Sequence, residues 1–128
     1  MTIFHDVDFV IDIHHEQLKL HGGAVGTRDP GMLESAIARP LQKAAYGDPD
    51  LCQLAAAYLY GIVRNHPFVD GNKRTGFVAA DVFLALNGLS LEAPQEDVVA
   101  FVLGVAAGEI DEDGATRFFR DHVVPIAD

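Results

Sequence analysis

Two apolar stretches, Leu51–Asn65 and Arg74–Leu86, follow one another with a short polar interruption, and this pairing constrains the fold more than any other feature. In the first, apolar residues at 51, 54, 55, 58, 59 and 62 recur at i, i+3, i+4 spacing, the pattern of an amphipathic helix. The second is apolar nearly all round, with Asp81 its only charge after Arg74. Such a helix is expected at the centre of its domain. Pro67 disfavours helical geometry at His66 and ends the first helix there. Gly71 lets the backbone turn or approach a ligand closely. The interruption is therefore a loop held between two core helices.

That loop, His66-Pro67-Phe68-Val69-Asp70-Gly71-Asn72-Lys73-Arg74-Thr75-Gly76, gathers several kinds of chemistry. His66 can move a proton near neutral pH. Asp70 can hold a divalent cation or orient a hydroxyl. Asn72 offers neutral hydrogen bonds. Lys73 and Arg74 are cations at the start of a helix, where unpaired N–H groups and the dipole already favour anions. Taken singly, each residue reads as a cap or a surface charge. A base, an acid and an anion cradle side by side point instead to transfer of a phosphate-containing group.

The stretch resembles the Fic/Doc motif, His-x-Phe-x-[Asp/Glu]-Gly-Asn-x-Arg, and matches every fixed position from His66 to Arg74. Asn72-Lys73-Arg74-Thr75 looks like the Doc, or death-on-curing, branch. The nucleotidyl-transferring Fic branch has glycine where this chain has Lys73 and a second arginine where it has Phe77. One departure runs the other way: the phage Doc toxin has alanine in place of Gly71. The words Arg28-Asp29-Pro30-Gly31-Met32-Leu33-Glu34-Ser35-Ala36-Ile37-Ala38-Arg39-Pro40 also look like bacterial Doc-type members, so the resemblance covers most of the chain.

Length and composition agree with one compact domain, residues 1–128. The chain is 49% hydrophobic and 22% charged, ordinary for a globular protein. The formal net charge of −10 disfavours non-specific binding to nucleic acid or an anionic membrane. A nucleotide site must then be locally positive, and Lys73 and Arg74 supply that. No apolar run is long enough for a membrane span. Met1–Asp12 has no basic region before an apolar run and carries Asp6, Asp8 and Asp12, so no secretory signal is expected. Cys52 is the only cysteine, excluding an internal disulfide; an inert structural thiol in the cytosol is the expectation.

Along the chain, Asp8–Leu20 reads as a first helix, stopped by Gly22-Gly23. His14 and His15 point different ways and make a poor metal pair; packed or surface histidines are expected. Asp29 caps a second helix that opens with Pro30 and stops before Pro40. Asn87-Gly88 ends the central helix, Leu89–Glu92 is a brief extended segment, and two further helices follow, from Pro94 to about Ala107 and from Asp111 to about Val123. Asp111-Glu112-Asp113-Gly114 lacks the later ligands and closing glutamate of a calcium loop. The expected architecture is an all-α compact bundle of about six helices.

The resemblance implies a toxin of a toxin–antitoxin system that transfers a phosphoryl group from ATP to a serine or threonine hydroxyl of a target protein, with translation elongation factor Tu as that target and blocked translation as the result. It implies His66 as general base, Asp70 as positioner of the hydroxyl or of Mg²⁺, and Gly71, Asn72, Lys73 and Arg74 as phosphate-binding groups. AMP transfer through the same His66, and a catalytically silent binding domain, are the alternatives. Phe68 is expected to pack under the loop and Thr75 to be structural. In the family a flap before the motif positions the target segment, and Gly22–Arg28 and Leu41–Pro49 both qualify. Many Fic proteins carry an inhibitory [Ser/Thr]-x3-Glu-[Gly/Asn] pattern, which occurs nowhere in this chain. Restraint is then expected from an antitoxin chain binding in trans near the active site.

Overall fold

A computed structural model of the chain describes residues 1–127. Six helices form the molecule: α1 (Val7–His21), α2 (Pro30–Ala45), α3 (Leu51–Asn65), α4 (Asn72–Leu86), α5 (Gln95–Ala106) and α6 (Glu112–His122). Two three-residue strands, β1 (Leu89–Leu91) and β2 (Val123–Pro125), pair antiparallel with Leu89 opposite Pro125 and Leu91 opposite Val123. The fold is all-α, as expected. The β2 strand takes up the end assigned to the last helix.

Aspartates start most of the helices. Asp6, Asp29, Asp50 and Asp111 accept the amides of Phe9, Met32, Gln53 and Gly114, satisfying donors that the first helical turn leaves unpaired. At α3 the Gln53 side chain also accepts the Asp50 amide at 2.8 Å, closing a capping box.

Two expectations need correction. The second helix does not stop before Pro40 but runs through it to Ala45. Leu33, Ala36, Ile37 and Pro40 are all buried on one face, and Ala44 continues that face against the core. Burial of the face outweighs the backbone hydrogen bond that proline forfeits. Arg39 and Lys43, on either side of Pro40, pair with Glu112 at the start of α6. The helix at the centre of the molecule is α3, not α4: α3 packs against α2, α4, α5 and α6. Its alanines and Gly61 let neighbours approach, whereas Phe77, Val78 and Asp81 leave one face of α4 half-open. Tyr58 of α3, Phe83 of α4 and Phe119 of α6 are fully buried in the same core, each contributing ~1.5–3 kcal/mol through apolar burial.

At Gly61, α3 packs directly on Ala36 of α2. A Cβ built there would lie 3.3 Å from the Ala36 Cα and 3.4 Å from the Ala36 carbonyl oxygen. These are backbone atoms of a packed helix and cannot swing aside. Gly61→Leu is expected to cost ~1–3 kcal/mol of stability by forcing the helices apart. Urea unfolding of variant and parent checks this; equal midpoints would contradict the packing described.

Candidate active site

The loop between α3 and α4 begins with a sharp reversal. His66 caps α3 in the left-handed conformation, φ 53° and ψ 54°, with its N–H donated to the Ile62 carbonyl at 3.1 Å. Such a conformation costs a non-glycine residue of order 1–2 kcal/mol, so neighbouring bonds must hold it. It leaves the His66 ring exposed while Pro67 and Phe68 turn inward and are buried.

Phe68 anchors the loop. Its ring is fully buried and stacks on the His14 imidazole of α1, centroids 3.8 Å apart and planes 7° from parallel. Its peptide is gripped by Asn72: the Phe68 N–H donates to Oδ1 at 2.9 Å and Nδ2 donates to the Phe68 carbonyl at 3.0 Å. His14 Nε2 donates to the Asp70 carbonyl at 2.8 Å; because a carbonyl only accepts, the proton sits on Nε2. Gly71, at φ 77° and ψ 16°, then turns the chain into α4, a conformation open to glycine at no steric cost.

A second segment is laid against the loop. Thr27 and Phe68 form an antiparallel bridge. The Val69 N–H donates to the Gly26 carbonyl at 3.0 Å, and the Arg28 and Asp29 amides both donate to the Pro67 carbonyl, at 2.7 and 3.0 Å. Of the two flap candidates, Gly22–Arg28 therefore lies on the motif. Much of the other, Leu41–Ala45, belongs to α2.

Asp70 is exposed, and its carboxylate ties the two segments together: Oδ1 accepts the Gly71 amide at 2.8 Å and Oδ2 the Ala24 amide at 3.2 Å. These donors, the Ala24 amide foremost, hold its pKa below the usual carboxylate value, with Arg74 assisting. Lys73 and Arg74 are exposed on the first turn of α4. No side chain among the described residues caps that turn, so its leading amides remain available to an anion. Behind the two cations lies an apolar trough of about 210 Å³, walled by Phe77, Val99, Val102 and Leu103. A wider cleft of about 740 Å³ between α5 and α6 has Asp97, Glu109, Asp111 and Asp121 on its walls and includes no motif residue.

Residues 4–84, more than half of the chain, match the Fic/DOC family.

The chain belongs to the Fic/Doc family.

It is 36% identical over 113 residues, 87% of this chain and 88% of the relative, to the protein of Escherichia phage P1 named "Protein kinase doc". It is 49% identical over 75 residues to the "Toxin Doc" of Mycolicibacterium smegmatis; that match spans 56% of this chain and 57% of the relative.

Within this Fic/Doc site, the residues expected from sequence divide into two sets. His66, Asp70, Lys73 and Arg74 are exposed, whereas Asn72 is buried with both ends of its carboxamide spent on Phe68. Asn72 shapes the loop through its side chain, and its backbone amide is what faces the helix start. Among the described residues no three His, Cys, Asp or Glu side chains converge as metal ligands. A single loop carboxylate, Asp70, suits a Mg²⁺ ion that arrives on phosphate oxygens and keeps its waters, not an ion caged by protein. His14 is packed, one of the two outcomes expected for it, but its stack on Phe68 and its bond to Asp70 had no sequence signal; sequence reasoning missed Arg28, whose side chain reaches the end of α3. The apolar spacing of Val10, Ile11, His14 and Leu18 was the available signal for the packing of His14, since it places an imidazole on a core face.

Burial pushes the His14 imidazole below its ordinary value of 6.5, partly offset by its bond to Asp70, and burial does the same to His5. In the unfolded chain both take up protons near 6.5, while the folded state takes them up only at lower pH. Stability is therefore complete above that pH and declines as pH falls below it. Tm is expected to drop between about pH 7.5 and about pH 5.5, and His14→Gln is expected to shrink that drop. Thermal unfolding across the range tests it; the same slope in His14→Gln would show that His14 is not held neutral.

Proposed function

We propose that the protein is a toxin that transfers the γ-phosphoryl group of ATP to a serine or threonine hydroxyl of a target protein. The observation that carries this reading is the exposed His66 at the end of α3, joined by the loop that Asn72 braces to the uncapped first turn of α4 with Lys73 and Arg74. The phage P1 relative named "Protein kinase doc" supports the kind of group transferred. The mycobacterial relative named "Toxin Doc" supports the biological setting. Elongation factor Tu, in the cytoplasm, is the first target to test.

In this reading ATP supplies the phosphoryl group, and Mg²⁺ bound to it screens the charge of its oxygens. His66 accepts the proton of the target hydroxyl as that oxygen bonds to phosphorus and the bond to the ADP leaving group breaks. Lys73, Arg74 and the leading amides of α4, with Gly71 leaving room for close approach, hold phosphate oxygens and the charge spread over them during transfer. Asp70 accepts two backbone amides and keeps lone pairs free for the hydroxyl or the metal's water shell. Lys73 occupies the position where AMP-transferring relatives have glycine, and its long cationic side chain favours phosphoryl over AMP transfer. An antitoxin segment binding in trans near these groups would restrain the activity, a setting that the relative named "Toxin Doc" supports.

The expected product is a target heavier by ~80 Da per phosphoryl group; AMP transfer would add ~329 Da. Incubation with ATP, Mg²⁺ and purified elongation factor Tu, followed by intact-mass analysis, reads this directly. His66→Ala is expected to stay folded and lose at least ~10²-fold in transfer rate. A folded His66→Ala protein that still arrests growth would remove the base assignment. An AMP-sized adduct formed at the rate of growth arrest would replace the kinase reading.

A further inference from the structure

The exposed His66 ring is only as well aimed as its backbone, and that backbone sits in a conformation unfavourable for a residue with a Cβ. Three consecutive carbonyls surround it, those of Asn65, His66 and Pro67, and all three accept hydrogen bonds from one residue. Arg28 Nη2 donates to the Asn65 carbonyl at 3.0 Å and Nε to the His66 carbonyl at 2.8 Å. The Arg28 backbone N–H donates to the Pro67 carbonyl at 2.7 Å. The Asn65 carbonyl belongs to the peptide plane that sets φ of His66, and the His66 carbonyl to the plane that sets ψ. A planar guanidinium bonded to both fixes the two torsions together. Its charge also lies against the C-terminus of α3, where unpaired carbonyls and the helix dipole favour a cation.

We propose that Arg28 is a positioning residue for His66: its guanidinium bridges the two peptide planes on either side of the histidine and holds the left-handed turn that aims the imidazole at the reacting hydroxyl. The step that His66 performs rests on the proposed function; the grip of Arg28 on the His66 backbone does not. Arg28 is exposed, so solvent replaces its bonds readily and its loss costs the fold little. The bridge earns its place through geometry, because a small misplacement of a general base lowers the rate far more than it lowers stability. Lysine at this position offers a point charge and no fork, so it reaches one carbonyl at a time.

Arg28→Ala and Arg28→Lys, made in the full chain, test the proposal by three readings: thermal unfolding, the transfer rate, and NMR of ¹³C-labelled histidine rings. Arg28→Ala is expected to remain folded, to broaden or split the His66 ring resonance while those of His5 and His14 stay in place, and to slow transfer about 10- to 100-fold. Arg28→Lys is expected to recover part of both changes. An unchanged His66 resonance in folded Arg28→Ala overturns the proposal. So does a changed resonance with an unchanged rate, or a change shared by all histidines in step with lost fold. Should the parent protein transfer nothing, the proposed function fails on that result. The His66 resonance, with its recovery in Arg28→Lys, then decides the role of Arg28 by itself.

Discussion

The reciprocal pair of hydrogen bonds between the Asn72 carboxamide and the Phe68 peptide holds the motif loop in shape. One side chain satisfies a buried donor and a buried acceptor four residues back, which closes the loop into a ring. That ring lets the Phe68 aromatic face enter the core and stack on His14, and the stack in turn places His14 Nε2 against the Asp70 carbonyl. Each bond is worth only ~0.5–1.5 kcal/mol net, but leaving either peptide group buried without a partner costs ~1–3 kcal/mol. The left-handed His66, the glycine turn at 71 and the paired Gly22–Arg28 segment all meet at this ring. His66 at one end of the loop and the start of α4 at the other are kept in register because the residues between them are fixed from inside.

Electrostatics separate this locality from the rest of the molecule. The chain carries a formal net charge of −10, and α1, α5 and α6 follow the usual rule of acids in the first turn. Helix α4 reverses it: Lys73 and Arg74 occupy the first turn, and the cap is a glycine without a side chain to offer. Cations there oppose the helix dipole, a cost of ~0.3–1 kcal/mol each. A fold selected for stability alone has no use for that arrangement, whereas one that receives phosphate oxygens does. The depressed pKa of Asp70 has a different origin, in the Ala24 and Gly71 amides, and keeps the carboxylate charged as it fastens the loop.

The helices and the motif were legible because both are local. Apolar spacing located α3, the Asp29-Pro30 cap marked the start of α2, and the acids from Asp111 marked that of α6. The spacing of the residues from His66 to Arg74 is by itself enough to point to the family. What stayed hidden depends on contacts across the fold. Pro40 reads as a helix end from backbone chemistry, yet the buried face of α2 carries through it. The resemblance implies Asn72 as a phosphate-binding group, yet its carboxamide is bonded to the Phe68 peptide. The choice of Gly22–Arg28 as the segment lying on the motif rests on bonds to Pro67, Val69 and Asp70, some forty residues distant. Arg28 left no sequence signal for its reach to the end of α3.

The measurement that bears most directly on this account is amide hydrogen exchange at Phe68, compared between the parent and Asn72→Ala. With the ring intact, the Phe68 N–H is buried and bonded and should exchange slowly. In Asn72→Ala its protection should fall about 10- to 100-fold, the equivalent of one broken and one orphaned hydrogen bond, while amides in the middle of α3 keep theirs. Unaltered Phe68 protection in the folded variant would contradict the claim that Asn72 holds the loop.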